Sequence, residues 1–291
     1  MSIIKVVIPV AGMGTRLLPA TKSQPKEMLP VATRPIVQYV VEEMIEGGLS
    51  KILFITGRKK RSIEDHFDFC PELGDRLDDE SLYGSIARSD VDFFFIRQRE
   101  ARGLGDAISL GESFVDNESF GVALGDSIIR SGEHASLMRR LIQVQEENKA
   151  SCTIAFEEVP AEDVGRYGIA KPKTPGTPVF EVEELIEKPE PGSAPSQLAI
   201  AARYIFGPEI FEALRRTAPG RRGELEITDA IANLIKMGHK VMGVKLRKDE
   251  TRYDIGNFES YFKSFIDFAL ADEKYGYMVR QHIRNRLRDI E

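Results

Sequence analysis

The residues best suited to chemistry lie near the start of the chain, in Ala11-Gly12-Met13-Gly14-Thr15-Arg16. Two glycines let a backbone approach a ligand closely, and amides exposed at such a turn can cradle phosphate. The following stretch is basic. From Arg16 to Arg34 it carries four cations (Arg16, Lys22, Lys26, Arg34) and one anion, Glu27, in a chain whose net charge is −6. Pro19, Pro25 and Pro30 exclude a regular helix here and stiffen an extended course. A long, stiff, basic loop suits a polyphosphate ligand. Neither common nucleotide motif fits: a dinucleotide fingerprint needs a third glycine where Leu17 stands, and a P-loop needs Gly-Lys-Ser/Thr. The plainer alternative is a solvated loop with scattered charges. Loops this long inside compact domains are usually functional or disordered, and Leu17, Leu18, Met28 and Leu29 oppose disorder.

A second group with chemical potential is Asp126, in Gly125-Asp126-Ser127 after the apolar run from Phe120 to Leu124. A carboxylate at a strand's carboxyl end, beside a phosphate loop, is suited to Mg²⁺, a hard cation that needs few protein ligands. The competing role is a turn or cap aspartate. Arg58, Lys59, Lys60 and Arg61 read as a solvated face, and Gln98 by itself reads as a surface amide. Cys70 and Cys152 have no CxxC or Cys/His companions and are expected to be buried thiols. The four histidines pair with no nucleophile motif, and the mild acidity opposes general nucleic-acid binding.

The elements that must position these groups alternate between strand and helix. β-Branched residues from Ile3 to Val10 predict a buried parallel strand that empties into the glycine loop. A helix opens at Pro35 and ends at Gly47-Gly48, and a strand follows from Ile52 to Thr56. Ser62 is expected to cap a short helix over Ile63 to Phe67. Further strands are expected at Val91–Ile96, Phe120–Leu124, Ser151–Phe156, Val179–Val182, Leu198–Phe206 and Val241–Leu246. Residues 71–90 read as an irregular excursion, and Thr174 to Pro178 as hairpin punctuation. The fold class is α/β, with a mainly parallel central sheet flanked by helices. Aromatics from Phe258 to Phe268 on a terminal helix point to core packing or a subunit interface. No leader precedes the first strand and no apolar run approaches the ~20 residues of a membrane span, so a cytoplasmic location is expected.

The run VAGMGTRLLPATKSQPKEMLP resembles the signature of sugar-1-phosphate nucleotidylyltransferases, and PATK followed by PKEMLP is most similar to the branch that uses UTP and glucose 1-phosphate. The resemblance covers about Ile3 to Phe268, in order. It implies the Rossmann-like nucleotide-diphospho-sugar transferase fold in a single domain spanning 1–291. A nucleotide half would cover about 1–130, a sugar half 131–257, and terminal helices 258–291. The implied reaction transfers UMP from UTP to glucose 1-phosphate with Mg²⁺, in a homodimer or homotetramer.

The resemblance also implies residue roles. Ala11, Gly12, Gly14, Thr15 and Glu27 would surround the nucleotide, with Arg16 and Lys26 on its triphosphate. Gln98 and Gly103 would read uracil. Gly168, Glu187, Lys188 and Arg203 would hold the sugar phosphate, and Asp126 and Asp254 the metal. Gly125 departs from the uridylyltransferase pattern, which often has proline there, and matches the thymidylyltransferase one; dTTP is therefore the rival nucleotide. A non-catalytic sugar-nucleotide sensor would be free to lose Arg16, Lys26 or Asp126, and all three are present. A nicotinamide oxidoreductase is opposed by Leu17 and by the lack of an acidic residue closing the second strand.

Overall fold

A computed structural model describes residues 2–68, 90–132, 136–190, 192–220 and 223–288. Strand β1 (Lys5–Pro9) leads into the basic loop, which contains only the short 3₁₀ turns Thr15–Leu17 and Lys26–Met28, as its prolines require. A two-residue hairpin, β2 (Pro30–Val31) with β3 (Arg34–Pro35), closes the loop. Helix α1 (Ile36–Glu46) buries Val37, Val40, Val41 and Met44 at helical spacing, and Gly48, with φ +92°, ends it in a conformation that favours glycine. Strand β4 (Lys51–Thr56) follows, then α2 (Arg61–Phe67), β5 (Asp92–Arg97), α3 (Leu104–Ser109), α4 (Glu112–Val115), β6 (Phe120–Ala123) and β7 (Ser127–Arg130).

The second half runs α5 (Leu137–Asn148), β8 (Cys152–Glu158), β9 (Gly168–Pro172), β10 (Val179–Glu187) and β11 (Leu198–Phe206). It continues with α6 (Glu209–Arg215), α7 (Ile227–Lys236), β12 (Val241–Lys245), β13 (Thr251–Asp254), α8 (Phe258–Ala271) and α9 (Gly276–Arg288).

One nine-stranded sheet spans both halves in the order β5-β4-β1-β6-β11-β8-β12-β10-β9. β4 and β6 flank β1 in parallel, β5 is parallel to β4, and β12 is parallel to β8. Only β10 and β11 oppose the common direction, so the sheet is mainly parallel, as expected. β11 is the seam between the halves. All nine of its residues are buried, which suits a central strand covered on both faces.

Two apolar cores cover the sheet faces, and a third lies beneath the basic loop. There Leu17, Leu29, Val31 and Ile36 pack with Ile128 and Ile255, and with Phe258, Tyr261 and Phe268 of α8. This third core explains how so irregular a loop keeps its course. The α8 aromatics divide: Phe258, Tyr261 and Phe268 face that core, whereas Phe262 and Phe265 are exposed.

Several expectations need correction. Ser62 does not cap α2, which begins at Arg61 without a side-chain cap. β7 and β13, which the sequence reading missed, pair antiparallel and set Asp254 opposite Ser127. The excursion at 71–90 lies, except for Asp90, outside the described residues, as does Cys70; Cys152 is buried. Among the described residues no helix is long and apolar enough to cross a membrane.

Candidate active site

The carboxyl ends of β1, β5 and β6 open onto a cavity of about 310 Å³, and a larger one of about 680 Å³ adjoins it toward the second half. Leu104, Leu124 and Asp126 line both. This is where open α/β sheets place ligands.

The glycine loop is shaped by Lys26. Gly14 has φ +66°, and a Cβ there would sit 3.2 Å from Lys26 Cβ; one on Gly12 would sit 3.6 Å from Lys26 Cε. The backbone therefore lies along the lysine stem while Nζ reaches an ion pair with Asp126. Burial pushes the Lys26 ammonium down, but Asp126, Glu27 and Asp254 outweigh it and hold it above the ordinary lysine value. Burial pushes Asp126 up, and Lys26 reverses this, leaving its carboxyl below the usual range. Glu27 is 1% exposed and accepts from Lys60 Nζ at 2.6 Å. Burial raises Glu27 and lowers Lys60, the signature of a pair taken out of water.

Gln98 is also buried. Its backbone N–H donates to Thr56 O at 2.8 Å, fixing it at the end of β5. Its side-chain Nε2 donates to Asp106 Oδ2 at 2.7 Å. An ionised carboxylate can only accept, so Asp106 requires the amide nitrogen on its side and leaves Oε1 as the free acceptor. Gly103, with φ +106°, lies so close to Leu225 that a Cβ would come within 2.6 Å of its carbonyl oxygen. Leu225 N–H donates to Arg102 O and its carbonyl accepts from Gly105 N–H, both at 2.7 Å. These bonds tie the loop after β5 to the second half.

Asp126 and Asp254 come together through the β7–β13 pairing and the bond from Ile255 N–H to Asp126 O at 3.1 Å. Both line the larger cavity. Among the described residues no cluster of three or more His, Cys, Asp or Glu could hold a metal. Two carboxylates facing one cavity nevertheless fit a hard divalent cation that takes its other ligands from phosphate and water. Ser127 also lines this cavity, and its Oγ is buried without a hydrogen-bond partner among the described residues.

The opposite wall is a strand pair. Gly168 of β9 is in register with Glu187 of β10, and Lys188 N–H donates to Tyr167 O at 3.0 Å. A Cβ on Gly168 would come within 2.7 Å of Ile200 and 3.0 Å of Thr228 Oγ1, so the start of β9 favours glycine. Lys188 Nζ donates to Glu187 Oε1 at 2.6 Å. Arg252 stacks over Tyr167 at 4.8 Å and pairs with Glu157; burial lowers it, but Glu157 and Asp254 outweigh this and raise it.

Of the expected site residues, Ala11, Gly12, Lys26, Glu27, Gln98, Gly103 and Asp126 line the smaller cavity. Arg16, Asp126, Gly168, Glu187, Lys188 and Asp254 line the larger one. Gly14 and Thr15 line neither; Gly14 shapes the loop, and Thr15 begins its first 3₁₀ turn. Arg203 is a correction. Its guanidinium is fully buried, bonding both Glu43 oxygens and the carbonyls of Ser127 and Ala202, so it cannot meet a sugar phosphate. Its neighbours Ala202 and Tyr204 line the cavity instead. Lys60 is a second correction, since it is a buried partner of Glu27 and not part of a solvated face.

The sequence reading missed Asp106, Ser127 and Arg252, none of which carries a local motif. Gly125 has a packing explanation. A Cβ there would lie 2.5 Å from Val10 Cγ1, so with Val10 in its present rotamer this position packs as glycine whichever base is bound.

Comparison with known proteins adds independent observations. A family model described as nucleotidyl transferase matches residues 5–269. The UTP–glucose-1-phosphate uridylyltransferase of Bacillus subtilis is 39% identical over 275 residues, 93% of this chain and 92% of that protein. A crystal structure of UDP-glucose pyrophosphorylase complexed with UDP-glucose superposes with TM-score 0.85 at 36% identity, covering 93% of this chain and 100% of that one. A UTP-bound UGPase from Acinetobacter baumannii superposes with TM-score 0.87 at 32% identity, covering 97% and 99%.

Proposed function

The chain belongs to the nucleotidyl transferase family, and on that premise we propose that it transfers the uridylyl group of UTP to glucose 1-phosphate, giving UDP-glucose and pyrophosphate. The observation that carries this reading is the pair of cavities meeting at Asp126, one walled by the glycine loop and Gln98, the other by Glu187 and Lys188.

In this reading the base enters the smaller cavity. Gln98 Oε1, turned outward by Asp106, accepts from the N3–H that uracil and thymine carry and cytosine lacks. Gly12 lets the backbone come close to the phosphates, while Lys26 and Arg16 approach them from the two cavities. The sugar phosphate lies in the larger cavity, its hydroxyls on Glu187 and its charge against Lys188. Attack by a phosphate oxygen of glucose 1-phosphate on the α-phosphorus of UTP forms one P–O bond and breaks the bond to pyrophosphate. The attacking oxygen is already an anion, so no general base is needed. The protein aligns two polyanions and offsets their charge. Asp126 and Asp254 would hold a divalent cation, for which we propose Mg²⁺, supplying positive charge to the transferring and leaving phosphates. Lys26 is paired to Asp126 here and is within reach of the same phosphates.

We further assign the exposed Phe262, Phe265 and Ile266 of α8 to a homodimer or homotetramer contact; a monomer by light scattering at assay concentration would refute this. The reaction itself is tested by pyrophosphate release with glucose 1-phosphate and each of UTP, dTTP, CTP, ATP and GTP. UTP should be fastest, dTTP next, since one methyl discriminates weakly. Turnover with none of the five would leave the sensor reading standing.

A further inference from the structure

Among the described residues, the carboxylates lining the larger cavity are Asp126, Glu187, Glu226 and Asp254. In the proposed reaction Asp126 and Asp254 hold a cation, while Glu187, which accepts from Lys188 Nζ at 2.6 Å, meets the sugar hydroxyls. Glu226 is left without a task. Its side chain makes no hydrogen bond and no ion pair among the described residues.

Its place on the chain makes this unexpected. Glu226 is the residue that precedes α7, where a carboxylate gains from the first amides of the helix and from its dipole. The Glu226 side chain accepts from none of those amides. Its electrostatic surroundings are those of the sugar wall instead: burial pushes its carboxyl up, Glu187, Glu224 and Asp229 add to this, and Lys188 opposes it. An uncompensated negative charge beside a site for a phosphate-bearing substrate weakens binding of that substrate. The charge is tolerated if it faces the uncharged end of the sugar, where a hydroxyl can donate to it. In that position it also repels any second anionic group.

We propose that Glu226 sets the charge specificity of the sugar site, accepting a hydroxyl of an uncharged sugar and rejecting a sugar phosphate that carries a second anion. The proposal rests on the larger cavity being the sugar site. The test is calorimetric titration of wild type and Glu226→Gln with UDP-glucose and with UDP-glucuronic acid, which has a carboxylate in place of the hydroxymethyl group. The amide keeps the size and hydrogen bonding of the side chain and removes only its charge. Wild type should prefer UDP-glucose by at least ~10-fold, and Glu226→Gln should narrow that preference at least ~3-fold by binding UDP-glucuronic acid more tightly, with its thermal midpoint unchanged. Rising salt should narrow the wild-type preference in the same direction. Equal binding of the two ligands by wild type, a wild-type preference indifferent to salt, or an unchanged preference in Glu226→Gln would each overturn the proposal while leaving the reaction intact. A Glu187→Ala variant that binds UDP-glucose as tightly as wild type would instead withdraw the sugar site itself, and the proposal with it.

Discussion

The two cavities that meet at Asp126 hold their charges differently. On the nucleotide side, Glu27, Lys60 and Gln98 are all under 10% exposed, and each is fixed by a partner from another element. On the sugar side, the Lys188 side chain is 39% exposed and its partner, Glu187, is its own neighbour in sequence. A charge fixed by a distant buried partner has already lost its hydration and rotamer freedom. A half-exposed charge held by its sequence neighbour still has much of both to lose on binding. These groups beside the smaller cavity are thus fixed before any ligand arrives, whereas Lys188 in the larger one retains freedom to adjust.

The largest effect should come from breaking the seam that both halves share. Arg203→Ala would leave Glu43, whose pKa burial already raises against the pull of Arg203, as an uncompensated buried charge. The expected cost is about 3–5 kcal/mol, measured by denaturant unfolding, and Arg203→Lys should recover only part of it because the bidentate geometry is lost. A cost below ~1 kcal/mol, the scale of an exposed pair, would show that the seam is not anchored there.

Asp126→Asn should come next, lowering kcat by at least ~10²-fold with little change in folding. Near-normal turnover in saturating Mg²⁺ would remove Asp126 from the metal site.

The lysines test the contrast itself. Lys26→Ala should raise KM for UTP and depress kcat, while Lys188→Ala should act mainly on KM for glucose 1-phosphate. Varying each substrate in turn separates them: impairment of UTP alone in Lys188→Ala would mean that the sugar cavity has been misassigned.

The smallest and most specific effect concerns the base. Gln98→Ala should slow UTP and dTTP alike, because both nucleotides present the same N3–H. Asp106→Asn can donate as well as accept, so the Gln98 amide would be free to turn and offer its NH₂. The CTP-to-UTP ratio of kcat/KM should rise several-fold, within the ~1–3 kcal/mol that one hydrogen-bonded contact commands. An unchanged ratio would show that Asp106 does not orient Gln98.

Much of the fold was legible in the sequence because its signals are local. The β-branched run of β1, the helical spacing of Val37, Val40, Val41 and Met44, and the uninterrupted apolar run of β11 each report burial within a few residues. The glycines and prolines between Gly12 and Pro30 likewise announce a loop that cannot be helix. Arg203 entered the sugar-phosphate set through the family resemblance, and nothing local opposes that: a basic residue on a strand looks the same in sequence whether its side chain faces a cavity or a buried glutamate.

Which elements form, and that a long, basic, non-helical loop follows β1, were thus determined by the sequence alone. Tertiary structure decided which charged groups can act. Arg203 finds Glu43 160 residues away, Lys60 finds Glu27 33 away, and Asp254 is brought to Asp126 by the β7–β13 pairing and the Ile255 N–H bond to Asp126 O. Gln98 takes its orientation from Asp106, a choice between two hydrogen-bonding states of one amide. Periodicity records how much of a residue is hidden from water. The partner that makes hiding a charge tolerable, and so whether that charge stays free to meet a ligand, is set by whatever the fold brings within about 3 Å.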